Sequence, residues 1–246
     1  PLRYPQLTPL LAYHLAYVPL VLRRARHVLC NSEATAREVH GRIGVPTRRL
    51  SVLKLGFNPG QLRPLGLARE PELLVLGRHD PHKNLRRLLQ AVAALRDREH
   101  RIHFVGPHDR RYTPKLQALA QELGVASRCR WTAWVSNEER LELLNRARAL
   151  VIPSLWEGFG LPALEAMACG TPVLASTAGA LPEVVGETAV PLNPLKPEQM
   201  AAAIDNFLRS NGLQQQLAQK GPQRAAEFSW TLTSAELKQR LRALSP

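Results

Sequence analysis

From residue 73 onward, short apolar runs alternate with stretches of helical periodicity. This alternation limits the possible folds more than any other feature of the 246-residue chain. The runs over 73–76, 102–105, 130–133, 150–152, 173–175 and 189–192 are too short for helices and read as strands. Between and after them, helices are predicted over 83–98, 112–123, 137–146, 181–185, 197–209, 213–228 and 232–244. Ser136 followed by Glu139 supplies a capping box for the third of these. Strands separated by helices run parallel, because each helical crossover returns the chain to the same end of the sheet. The predicted fold is therefore α/β, a Rossmann-like doubly wound parallel sheet. Ligands of such sheets bind beyond the carboxyl ends of the strands.

The first 57 residues follow a separate pattern. Leu10, Leu11, Tyr13, His14, Tyr17, Val18 and Leu22 fall at helical spacings and predict a helix over 8–26, with Pro19 as a kink point. A strand over 28–30, a helix over 33–43 capped by Asn31 or Ser32, and a strand over 51–55 come next. The Gly56–Gly60 stretch, rich in Gly, Asn and Pro, marks a break, and a linker is expected near 56–72.

Two loops at predicted strand ends carry the chemistry. The strand ending at Ile152 runs into Pro153-Ser154-Leu155-Trp156-Glu157-Gly158-Phe159-Gly160-Leu161-Pro162. Pro162 can open a helix, Glu165 lies near its start and Gly170 can close it. Two carboxylates then flank a helix N-terminus, whose free N–H groups attract anions. An ordinary strand–loop–helix with two solvated glutamates has the same spacing. The intervening Gly-Phe-Gly-Leu-Pro and the following Ala-Cys-Gly-Thr-Pro argue against coincidence. The second loop is Gly77-Arg78-His79-Asp80-Pro81-His82-Lys83-Asn84-Leu85. Arg78 offers a planar fork for phosphate oxygens and Lys83 a point charge. Two surface cations at a helix start are the bland alternative. A cation there opposes the helix dipole, so a nearby anion is the better reading. His79 and His82 are a weak metal signal, three positions apart with no third ligand.

Charge adds a broad constraint. Lys and Arg number 33 against 20 acids, a formal charge of 33 − 20 = +13, which favours polyanionic partners. The excess is dispersed, so nucleic acid is not expected as a partner. Cys30, Cys129 and Cys169 are far apart and odd in number, which fits a reducing compartment and buried apolar roles. No run approaches membrane-span length, and no signal peptide is visible. Arg23, Arg24 and Arg26 beside an apolar helix motivate a peripheral contact with an anionic membrane. The expected location is cytoplasmic, with or without that contact.

The run from Pro153 to Val173 resembles the glutamate, seven residues, glutamate signature of the retaining glycosyltransferases of family 4, which have the GT-B fold. The resemblance implies two Rossmann-like domains: residues 1–57 as the remnant of an acceptor-side domain, 58–228 as the complete donor domain, and 229–246 as a helix returning to the first domain. The chain begins at Pro1, mid-pattern, and is read as a fragment. The implied donor site comprises Gly77, Arg78, Lys83, Trp134, Val135, Glu157, Gly158, Phe159, Gly160, Leu161 and Glu165. Glu157, Arg78 and Lys83 carry the implied catalytic roles. Arg78 and Lys83 would meet the diphosphate, Glu157 the transferred sugar and Glu165 the ribose hydroxyls. The 134–136 loop would lie along the base; for Trp134 itself a core position is the favoured reading.

The activity implied is hexosyl transfer from a GDP- or UDP-linked sugar to a saccharide or lipid-linked acceptor, with anomeric retention, as in polysaccharide biosynthesis. No Asp-x-Asp motif is present, so neither metal nor cofactor is expected. The family's glycine-rich loop and acceptor-side histidine have no match, and His14 reads as structural. The alternatives are a non-catalytic nucleotide-sugar-binding module and a GT-B sugar-nucleotide epimerase; a phosphorylase would need a pyridoxal lysine site that is not found.

Overall fold

The computed structural model describes residues 16–57, 60–96 and 98–244. The chain divides into two compact units between Lys54 and Leu55. In the first, helix α1 (Val18–Arg24) carries Pro19 in its first turn, where a missing N–H does no harm, rather than at a kink. The part of the predicted helix over 8–15, with Leu10, Leu11, Tyr13 and His14, lies outside the described residues. Strand β1 (Val28–Cys30) pairs in parallel with β2 (Leu50–Val52). The connecting helix α2 (Glu33–Glu38) is capped by Ser32, whose Oγ accepts from Thr35 N–H at 3.0 Å. It continues as a π-helical turn over Val39–Ile43 and stops at left-handed Gly44. Val28, Cys30, Ala36 and Val45 form the small core of this unit.

The second unit holds the predicted doubly wound sheet. Its strands are β3 (Glu72–Leu76), β4 (Arg101–Val105), β5 (Cys129–Thr132), β6 (Ala149–Ile152), β7 (Val173–Ser176) and β8 (Val190–Leu192). All pair in parallel, in the order β5-β4-β3-β6-β7-β8. Helices α3 (Leu85–Ala94), α4 (Thr113–Glu122), α5 (Asn137–Arg146), α6 (Leu161–Ala168) and α7 (Leu181–Val185) make the crossovers. Helices α8 (Pro197–Arg209), α9 (Asn211–Ala226) and α10 (Trp230–Leu244) follow.

Side-chain alternation explains why helices cover both faces. On β6, Ala149 and Val151 join one core cluster, with Leu88, Phe104 and Phe207. Leu150 and Ile152 join the other, with Leu164 and Met167. Each fully buried aliphatic side chain contributes about 1.5–3 kcal/mol, which is why such short strands suffice. Strand order reverses between β3 and β6, so the loops leaving these two neighbours open a crevice at their carboxyl ends.

Several boundaries differ from the sequence reading. The helix expected from residue 83 begins at Leu85, because Pro81–Lys83 forms a 3-10 turn ended by Asn84 at φ 59°. It ends at Ala94, four residues early. The helix expected over 213–228 starts at Asn211 with Ser210 as its cap and runs through Pro222 to Ala226.

One half-buried arginine ties the second unit together. Arg69 donates to the carbonyls of Leu144 (2.8 Å), Ala147 (3.1 Å), Cys169 (3.4 Å) and Gly170 (2.8 Å), and to Thr171 Oγ1 (2.9 Å). These acceptors lie at or just beyond the C-termini of α5 and α6, where orphan carbonyls and the helix dipole favour a cation.

Candidate functional site

The β3 and β6 loops meet at the crevice. Gly77 turns the chain out of β3 at φ 136°, and a Cβ there would lie 3.4 Å from Lys83 Cε. The lysine stem therefore lies over a position without a side chain. Its Nζ reaches Glu157 Oε1 at 2.7 Å, and Ser154 Oγ donates to the same oxygen at 2.7 Å. The Lys83 side chain is 20% exposed and that of Glu157 13%, so the pair is largely withdrawn from water. Gly77, Arg78, Lys83, Pro153 and Ser154 line a single small cavity.

One backbone bond and one side-chain bond fix the two loops against each other. Leu155 N–H donates to His82 O at 2.7 Å. Asn84, left-handed at φ 59°, donates from Nδ2 to Pro153 O (2.9 Å) and to Pro194 O (2.6 Å). An asparagine tolerates this conformation better than most residues, a signal present in the sequence but not read. Lys83 thus closes a 3-10 turn just outside α3 instead of starting the helix.

Arg78 projects outward. Its guanidinium is 65% exposed and lies 3.3 Å from Asp80. His79 is buried, with Nδ1 on Thr113 Oγ1 at 2.8 Å and its ring edge-on to Trp131. Burial pushes the His82 imidazole below its ordinary pKa, and Lys83 adds to the effect. Among the described residues, no three His, Cys, Asp or Glu side chains converge as a metal site.

The acidic helix follows the expected punctuation. Gly160 caps α6 at φ 109°, Pro162 sits in its first turn, and Gly170 follows its end at φ 66°. A Cβ at Gly160 would fall 2.6 Å from the tip of Leu181, which would have to move, and the left-handed backbone itself calls for glycine. Phe159 is buried edge-on against Phe228, leaving main chain rather than its ring for a ligand. Leu161 and Val135 pack on the core. Glu165 lies beyond the first turn of α6, deeper than expected, and forms an ion pair with Arg140 of α5. Burial pushes its carboxyl above the ordinary range, while Arg140 pulls it down. Arg140 carried no signal in the sequence beyond being one cation among 33.

The favoured core position for Trp134 is wrong. It is 75% exposed, in the loop after β5, where no apolar neighbour covers it enough to bury it. The structure thus joins Gly77, Lys83 and Glu157 in one cluster with Arg78 at its rim. It pairs Glu165 with Arg140 separately and leaves Trp134 facing water.

Residues 63–224 match the family Glycosyl transferases group 1. The chain is 36% identical over 243 residues to the MMP alpha-(1->4)-mannosyltransferase of Mycolicibacterium hassiacum, covering 93% of this chain and 57% of that protein. It is 30% identical to the O-antigen chain mannosyltransferase B of Escherichia coli, covering 85% of this chain and 58% of that protein. The chain therefore spans somewhat over half the length of these curated relatives. Among solved structures, the sucrose-phosphate synthase of Thermosynechococcus elongatus superposes with a TM-score of 0.84 at 26% identity. That match covers 94% of this chain and 61% of that one, and the fold is that of the GT-B glycosyltransferases.

Proposed function

Because the chain belongs to the Glycosyl transferases group 1 family, we propose that its second unit is the donor half of a retaining, metal-independent hexosyltransferase of the family 4 type. The donor is a nucleotide-diphosphate sugar. The two relatives above are named mannosyltransferases, so a mannosyl donor such as GDP-mannose is the first candidate, with a saccharide or lipid-linked acceptor.

The observation that carries this reading is the Lys83–Glu157 pair at the crevice between β3 and β6, beside Arg78 and the start of α6. A cation at this point suits a diphosphate, and a carboxylate beside it suits sugar hydroxyls. In the transfer, the bond between the anomeric carbon and the diphosphate oxygen breaks as the acceptor oxygen attacks from the same face. The acceptor proton passes to the departing phosphate. Arg78, Lys83 and the α6 N-terminus carry the electrostatic task of stabilising the leaving diphosphate. Glu157 orients the sugar, and Glu165, set by Arg140, takes the ribose hydroxyls. Catalysis is then mainly positioning and charge stabilisation.

Calorimetric titration of the chain with GDP, UDP and the matching nucleosides tests the reading. At least one diphosphate is expected to bind more tightly than its nucleoside, and Lys83→Ala is expected to erase most of that difference. Equal affinity for diphosphate and nucleoside in both series would remove the proposal.

A further inference from the structure

Lys83 is already engaged. Its ammonium lies 2.7 Å from Glu157, and both side chains are mostly buried. Glu157 is anchored at two further points, one on its carboxylate and one on its main chain. Ser154 Oγ holds Oε1 at 2.7 Å, and Ala180 N–H holds the Glu157 carbonyl at 3.0 Å. The lysine stem is seated over Gly77. A diphosphate arriving at Lys83 therefore meets a cation whose charge is largely cancelled, with a fixed negative charge beside it. At this depth such charges are only partly screened.

We propose that Glu157 makes the site discriminate against the spent nucleoside diphosphate in favour of the sugar-loaded donor. This rests on the reading of the site as a nucleotide-sugar pocket. A loaded donor brings sugar hydroxyls, which donate to the Glu157 carboxylate and satisfy it when Lys83 turns to phosphate. The spent diphosphate brings no such donors. Its terminal phosphate also carries more negative charge than the same phosphate when esterified to sugar. Glu157 is then left beside an anion with one partner fewer. The same pair that positions the sugar thus hastens release of the product. Glu157 is a specificity-determining residue as well as an orienting one.

The test is calorimetry with the tighter-binding of GDP and UDP, its nucleoside and a matching nucleotide sugar. Glu157→Gln removes the charge but keeps the shape. It is expected to tighten the diphosphate about tenfold, leave the nucleoside unchanged and fail to tighten the nucleotide sugar to the same degree. Glu157→Asp, too short to reach Lys83 as closely, is expected to tighten the diphosphate by a smaller factor and serves if Glu157→Gln does not fold. In the Lys83→Ala/Glu157→Gln double variant the tightening should largely vanish, because the effect passes through Lys83. If Lys83→Ala weakens the diphosphate but neither Glu157 variant tightens it, this inference fails and the site reading stands. If Lys83→Ala leaves the diphosphate-to-nucleoside ratio unchanged, the site reading itself fails.

Discussion

Gly179 lies against the backbone of Glu157: a Cβ at Gly179 would fall 2.7 Å from the Glu157 carbonyl oxygen and 2.8 Å from its nitrogen. The loop after β7 therefore supports the loop after β6, and Ala180 N–H bonds the same carbonyl at 3.0 Å. Gly179 also adopts φ 67°. Gly179→Ala combines left-handed strain with a backbone clash and is expected to cost about 2 kcal/mol. Because Glu157 must shift, diphosphate affinity is expected to change although Gly179 touches no ligand. Urea unfolding and calorimetry read the two effects. An alanine variant with wild-type values in both would show that this contact does not set the loop.

Arg69 provides a stability test away from the site. Burial pushes its guanidinium below the ordinary pKa, yet it is satisfied by four carbonyls and the Thr171 hydroxyl. Arg69→Met keeps much of the stem and leaves the carbonyls of Leu144, Ala147, Cys169 and Gly170 without this donor. The expected loss is about 3 kcal/mol, from part-buried acceptors that lose a donor and from a lost helix C-terminal cation. Chemical denaturation with an unchanged m-value would support it. A loss under about 1 kcal/mol would mean that water replaces the guanidinium.

The sheet was legible because parallel buried strands read as continuous apolar runs, and 150–152 and 173–175 did so, each within one residue of the strand observed. The capping box at Ser136 was equally legible, since both of its bonds are local. Lys83 and Glu157, 74 positions apart, could be linked only through the resemblance to a family. Arg69 and Arg140 were not legible. Their partners lie across the fold or on a neighbouring helix, and periodicity says nothing about where a long side chain ends. Trp134 misled for the opposite reason: a tryptophan is usually covered, and the sequence does not show that the loop after β5 leaves it in water.

Glu72 and His103 make the acid stability of the sheet predictable. His103 Nδ1 lies 3.1 Å from Glu72 Oε1, and Nε2 lies 2.8 Å from Thr132 Oγ1. This hydrogen bond, against the opposing effect of burial, holds the Glu72 carboxyl below its ordinary value of 4.5. A depressed carboxylate stabilises the fold above its unfolded pKa, and that contribution is lost as pH falls through the folded value. The melting temperature is therefore expected to drop on acidification below about pH 4.5. Glu72→Gln is expected to flatten that part of the profile. A slope unchanged in the variant would assign the acid loss to other groups.

Arg140→Gln tests the partner of the second signature glutamate, and its pH dependence has the opposite sense. Burial raises the Glu165 carboxyl above its ordinary value, so the folded state takes up its proton more readily than the unfolded chain. Such a group favours the fold below its unfolded pKa and loses that contribution as pH rises through the folded value. Arg140 limits the loss by pairing with the ionised form. Without it the carboxyl would move further up, and keeping Glu165 charged at neutral pH would become harder. Arg140 is itself partly exposed, so the expected destabilisation is about 1–2 kcal/mol at neutral pH, less than for a fully buried pair. At about pH 4, where Glu165 is largely protonated in both proteins, the difference should shrink towards zero. Urea unfolding of the two proteins at both pH values measures it. A loss of equal size at both would mean that Arg140 acts through the packing of its stem against α6 and not through its charge.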